Sequence, residues 1–183
     1  TAAIYCLSTY FDQDENVPNR EHDKLYSKLV KDPSYIVAGE ALRALQFVEP
    51  TLAYKQAKEE LSTAKKELKE TVIYTVAKNG DASDSDLIHN EFNKATGFET
   101  VGMTYNLISF LEKQKPTDNS IILQEIQSKI TSLELWYQRY YTLKMLKEYT
   151  SENTVFNTSV SKLYQSILEV EKDEKVLMYL GVK

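Results

Sequence analysis

An all-α fold is what this sequence predicts: a helical bundle of about six to seven helices. Three of them are long, roughly 51–77, 119–149 and 154–180, and the last two form an antiparallel hairpin. Three observations carry that expectation. Glycine and proline are scarce, five and four in 183 residues, and sheet proteins need many more tight turns than that. Apolar residues recur at steps of three and four, the period of one helix face. The stretch 119–149 holds no glycine or proline at all and carries Ile122, Ile126, Ile130, Leu133, Tyr137 and Tyr140 at that spacing.

Composition sets the outer bounds. An apolar fraction of 42% with 27% charged residues is that of a folded chain rather than a disordered one. The length suits a single helical domain, 1–183, with 1–19 as an apolar and then acidic N-terminal segment. A net charge of −5 argues against nucleic acid as a partner, because such binders rely on clustered Lys and Arg. One cysteine, Cys6, excludes an internal disulfide framework and any multi-cysteine metal site. No apolar run approaches the roughly 20 residues of a membrane span. The opening TAAIYCLSTYF reads either as the tail of an excised signal or anchor segment or as a first short helix. The former would place the chain outside the cytoplasm, attached to a membrane through residues upstream.

Taken in order, Asn19 caps a helix from Arg20 with Leu25, Leu29 and Val30 on one face. Asp32-Pro33 stops it; Pro33 suits the first turn of the next helix and Asp32 its free donors. That helix runs to about Val48, with Gly39 among Ala38, Ala41 and Ala44, a stripe small enough for close packing. Glu49-Pro50 kinks it or opens the next. Over 51–77, Ala57, Leu61, Ala64, Leu68 and Val72 form a narrow seam between solvated Lys and Glu faces. Val72, Ile73, Tyr74 and Val76 are β-compatible, yet the helical phase runs on through them.

Lys78–Ser83 is the clearest turn. Ser83 or Asp84 then caps a helix bearing Leu87, Ile88, Phe92 and Ala95, closed by a left-handed Gly97, with Phe98 at the contact that accompanies such caps. A helix over 100–114 buries Val101, Tyr105, Ile108 and Leu111, and Lys115–Asp118 ends it. In the final helix Phe156, Val160, Leu163, Ile167, Val170 and Leu177 hold the rhythm over more than three turns, Glu174 interrupts it, and Gly181 ends the helix.

Chemistry is thin. There are two histidines: His22 in a charged run, and His89 three residues after Asp86. A di-iron bundle needs two Glu-x-x-His pairs, and neither is present. Asp81, Asp84 and Asp86 suggest calcium, but the sixth and twelfth loop positions are Asp86 and Phe92 where Gly and Glu are required. Helix capping accounts for the acids. No phosphate loop, nucleophile elbow or Cys–His pairing occurs. Asn157-Thr158-Ser159 fits a glycosylation pattern inside the first turn of a helix and carries no weight. No catalytic residue, metal ligand or cofactor site is assigned.

The aromatic cluster is what remains. Thirteen tyrosines include Tyr137, Tyr140 and Tyr141 beside Trp136 and Arg139. Adjacent helical positions diverge by about 100°, so the rings occupy more than half the circumference there. They pack into two layers of the core, or they form an exposed patch of the residue types enriched in binding hot spots. The expectation is a non-enzymatic protein-interaction module, a subunit or adaptor, whose protein partner docks on Trp136, Tyr137, Arg139, Tyr140 and Tyr141. The alternative is an extracytoplasmic domain that senses or binds a small molecule.

Overall fold

The computed structural model describes residues 20–114 and 120–182. Cys6, the Asn19 cap and the stop at Lys115–Asp118 lie outside them. The described residues hold ten α-helices and no strand, so the all-α class holds while six to seven helices is an undercount. The excess has one origin: each of the three long helices is interrupted. The chain falls into two compact units, Thr1–Ile88 and His89–Lys183.

In the first unit, α1 (Arg20–Leu29), α2 (Tyr35–Val48), α3 (Pro50–Glu60) and α4 (Lys66–Asn79) surround a core of small and branched residues. α2 is central and packs on the other three. Its stripe of Ala38, Gly39, Ala41 and Ala44 is wholly buried, as the small-residue spacing requires. Ser34, rather than Asp32, caps α2 by accepting from Val37 N–H, and Asp32 accepts from Ser34 N–H at 2.8 Å. Pro50 occupies the first turn of α3, where a missing N–H costs nothing.

The helix expected over 51–77 breaks between Glu60 and Lys66. Thr63 Oγ1 donates to the Glu60 carbonyl at 3.2 Å, the local bonding by which Ser and Thr compete with a helix. Lys65 is then extended, at φ −135°. Ala57, Ala64, Leu68 and Val72 are buried on either side, so the seam survives the break. The β-compatible run from Val72 is helical.

A 3-10 turn, Ala82–Asp84, leads into α5 (Ser85–Lys94), which crosses the boundary between the units. The second unit continues with α6 (Glu99–Gln114), α7 (Ser120–Thr131), α8 (Trp136–Glu148), α9 (Thr154–Val170) and α10 (Glu174–Leu180). α8 packs on α6, α9 and α10, and α9 also meets α7. Gly97 stands at φ +57° in the turn before α6, and Gly181 at φ +71° ends α10; both are left-handed positions that glycine tolerates best. The buried face of α6 is broader than expected. Met103, Leu107 and Phe110 join Ile108 and Leu111, while Val101 and Tyr105 are half-buried.

The expected helix 119–149 is α7 and α8 with residues 132–135 between them, and 154–180 is α9 and α10 with 171–173 between them. Neither gap contains Gly or Pro. Each resets the helical phase. Ile126 and Ile130 are buried as the stripe predicts, but α8 then buries Gln138, Thr142, Leu143 and Leu146 instead of Tyr137 and Tyr140. Phe156, Val160, Leu163 and Ile167 hold their rhythm, after which Val170 is 53% exposed and Val176, not Leu177, enters the core. α8 and α9 run antiparallel: Tyr149 meets Phe156 beside the connection, and Arg139 meets Glu171 at the far end.

Candidate functional site

One guanidinium holds both interruptions of the second unit. Arg139 lies in the first turn of α8 with its side chain only 14% exposed. Its Nη1 donates to the carbonyls of Leu133 at 2.6 Å and Glu134 at 3.1 Å, within the first gap. Its Nε donates to Glu171 at 2.7 Å and its Nη2 to Asp173 at 3.2 Å, both in the second gap. The rigid five-donor fork of arginine makes this division of labour possible. Glu171, nearly buried, uses its other oxygen on the backbone N–H groups of Lys172 and Asp173. Asp173 caps α10 through Lys175 N–H at 3.0 Å. The carbonyls and carboxylates that a helix break exposes are thereby satisfied.

These bends place α10 against α8 and assemble a chain of six rings. Tyr137 meets Trp136 edge-on, centroids 6.0 Å apart. Trp136 stacks on Tyr179 at 5.5 Å and 11°. Tyr179 leans on Tyr140 at 5.7 Å, Tyr140 meets Tyr141 at 5.0 Å, and Tyr141 meets Phe98 edge-on at 5.4 Å. Each such pair contributes about 0.5–1.5 kcal/mol beyond simple burial. Lys175 Nζ lies 5.6 Å from the Trp136 ring centroid, within cation–π range.

This ladder lies at the surface. Phe98, Tyr137, Tyr141 and Tyr179 are 55%, 37%, 45% and 58% exposed, while Trp136 and Tyr140 are half-buried. Beneath it, Gln138 and Thr142 take the core face, with Thr142 Oγ1 donating to the Gln138 carbonyl at 2.8 Å. A Cβ on Gly97 would come 3.3 Å from Gln138 Nε2, so the Gly97 turn sits close on α8 and presents Phe98 to Tyr141.

Of the five residues expected to meet a partner, the structure brings together Trp136, Tyr137, Tyr140 and Tyr141 in the ladder. Arg139 is elsewhere, spent on the two gaps. Sequence reasoning missed Tyr179 and gave Phe98 only a capping contact. Tyr179 joins the rings because the chain bends at 171–173, and nothing in that tripeptide announces a bend.

Other polar constellations are structural in form. Asp84 is fully buried; it accepts from Tyr54 O–H at 2.7 Å, from Lys58 Nζ and from Asp81 N–H. Asp81 and Asp84 form a reciprocal capping box. The hydrogen bond to Asp84, followed by burial, pushes the Tyr54 hydroxyl up to about 12. Glu112 accepts from the hydroxyls of Tyr149 and Ser151, tying α6 to the α8–α9 connection. Burial, then the Glu112 bond, raises the Tyr149 hydroxyl still further.

His89 pairs through Nε2 with Glu125 of α7. Glu125 also lines an open cleft of about 640 Å³ with Asn93, Gln124, Ser128, Lys129 and Ser132. Lys129 Nζ donates to the Asn93 carbonyl at 2.9 Å, and burial lowers its pKa, against the opposing pull of Glu99. Among the described residues no group of three or more His, Cys, Asp or Glu is arranged to hold a metal ion. Among them, too, no helix is long and apolar enough to cross a membrane.

The site thus defines a class: an all-helical chain with a composite aromatic surface built from three segments. Comparison with protein-family models, curated proteins and solved structures finds no match. The functional reading rests on the chain's own residues.

Proposed function

We propose that this chain is a non-enzymatic protein-interaction module whose partner docks on the aromatic ladder. The observation that carries the reading is the exposure of four of the six rings of the ladder on a helical surface whose core positions are filled by other residues. Tyr and Trp supply large rigid contact area at little entropic cost, and their enrichment at hot spots follows from that. Leu135 and Met178, the chain neighbours of Trp136 and Tyr179, are each exposed by about half and add apolar surface. The partner surface this suits is apolar at its centre and donates to tyrosine hydroxyls at its rim.

The test replaces rings without touching the core. Tyr137→Ala with Tyr141→Ala should lose a captured partner at least about tenfold in affinity, equivalent to about 1.4 kcal/mol, with the helical melt unchanged. Equal affinity of wild type and variant for the purified partner would refute the reading.

A second reading has its own observation. The cleft over Glu125 and Lys129 gathers two charges and several amide and hydroxyl groups, the setting of a small polar ligand site. A metabolite that raises the melting temperature of wild type, but not of Lys129→Met, would favour it over the ladder.

A further inference from the structure

We infer that α10 is an exchangeable arm latched by Arg139: when the latch is loosened, two copies of this chain trade it, each completing the other's ladder with Tyr179. The hinge is Glu171-Lys172-Asp173, three residues that a helix accepts without a backbone penalty of the Gly or Pro kind. In a straight hinge α9 and α10 would run on as one helix, carrying the arm away from its own α8. The arm, however, is held to α8 by contacts that a second α8 offers equally. They are the burial of Val176 and Leu180, the seating of Tyr179 on Trp136 and Tyr140, and the Lys147 bond to the Leu180 carbonyl at 3.1 Å. Exchange conserves all of them, so its free energy is decided by the hinge and by concentration.

The bent hinge has bonds that a straight one lacks. Arg139 holds Glu171 and Asp173, and Glu171 accepts from two N–H groups that a continuous helix would give to carbonyls. Arg139 therefore favours the closed single copy. Loosening that hold shifts the balance towards the exchanged pair. The inference needs no docking partner and stands apart from the ladder's proposed use.

Light scattering on the full chain at graded concentrations provides the test. Arg139→Gln should tighten dimerisation by roughly tenfold or more. Asp173→Asn keeps the α10 cap, loses the charge, and should act in the same direction if Arg139→Gln folds poorly. Adding Glu174→Pro to either should restore the single copy. Asp173 is extended at ψ 116°, so proline suits the first position of α10 in the bent form and breaks a straight helix. In the isolated dimer, mixed copies carrying Trp136→Cys or Tyr179→Cys, each with Cys6→Ser, should cross-link to one another through a short bis-maleimide. Both loosened variants remaining single while folded would overturn the inference. So would dimers that persist with Glu174→Pro, or that give no cross-link between the two kinds of copy.

Discussion

Asp84 in the first unit and Arg139 in the second do the same job by opposite charges, and only one of them stands where the sequence marks a turn. Each is a charged side chain withdrawn from water, 0% and 14% exposed, that satisfies groups where the chain leaves a helix. Asp84 follows Asn79-Gly80-Asp81, a run rich in turn residues. Arg139 governs Ser-Leu-Glu-Leu and Glu-Lys-Asp, segments that any helix would take. The first turn is written locally in its own residues, and the bend at 171–173 is written by pairing with a distant one.

The largest effect should come from removing the countercharge in either place. Lys58→Met leaves Asp84 buried with only neutral donors, and Arg139→Met leaves Glu171 buried beside Asp173. Each should cost about 3 kcal/mol in chemical denaturation, the lower end for breaking a buried pair, since Lys58 is 40% exposed and shares its charge with solvent. A loss under about 1 kcal/mol at Arg139 alone would break the equivalence. It would mean that the gaps hold without their clamp.

What was legible follows the same line. The α9 stripe, the left-handed Gly97 and the helix end at Gly181 all state their geometry within a few residues, and the turn expected over 78–83 falls at Gly80-Asp81, after a helix that runs on to Asn79. The break at 171–173 does not state its geometry locally, because the stabilising partner lies 32 residues from Glu171. Once the phase resets at Leu135, the buried face of α8 becomes Gln138, Thr142, Leu143 and Leu146, two of them polar. No hydrophobic stripe marks that face, so the rings stood as candidates for the core. Their chemistry was readable, their exposure was not, and Tyr179 lay beyond the reach of any spacing rule.

The turn itself offers a sharper cut. A Cβ at Gly80 would stand 2.4 Å from Asp84 Oδ2 and 2.5 Å from the Val76 carbonyl oxygen. Gly80 has φ −64°, so the demand for glycine is one of space and not of backbone handedness. Gly80→Ala should therefore cost about 1–3 kcal/mol, the range for overpacking. Combined with Asp84→Ala it should cost less than the sum, because the first obstacle is then gone. Strict additivity in a double-mutant cycle would separate Gly80 from the buried carboxylate.

Alkaline titration compares the units through their tyrosines. Folding raises both Tyr54 and Tyr149, so each folded state favours the neutral hydroxyl. The stability from Tyr54 is complete below its unfolded value of 10.0 and is lost as pH rises through about 12. Melting temperature should fall across that window, and Tyr54→Phe should flatten its part of the fall. Tyr149→Phe should do so at the alkaline end, since burial places that hydroxyl higher. An unchanged slope in Tyr54→Phe would remove the Asp84 bond as the cause.

The smallest effect should have the opposite sign. Gly102 lies within α6, exposed, with nothing within 4 Å of a Cβ built on it. Alanine there forfeits no space and loses less backbone freedom on folding, so Gly102→Ala should stabilise by up to about 1 kcal/mol. The contrast with Gly80 isolates the cause. The two glycines share a residue type and a φ below zero or within a helix, and differ in whether a buried charge has claimed the room beside them. If both alanines destabilise alike, crowding by Asp84 is not what fixes glycine at position 80, and the buried carboxylate loses its claim to have shaped the turn.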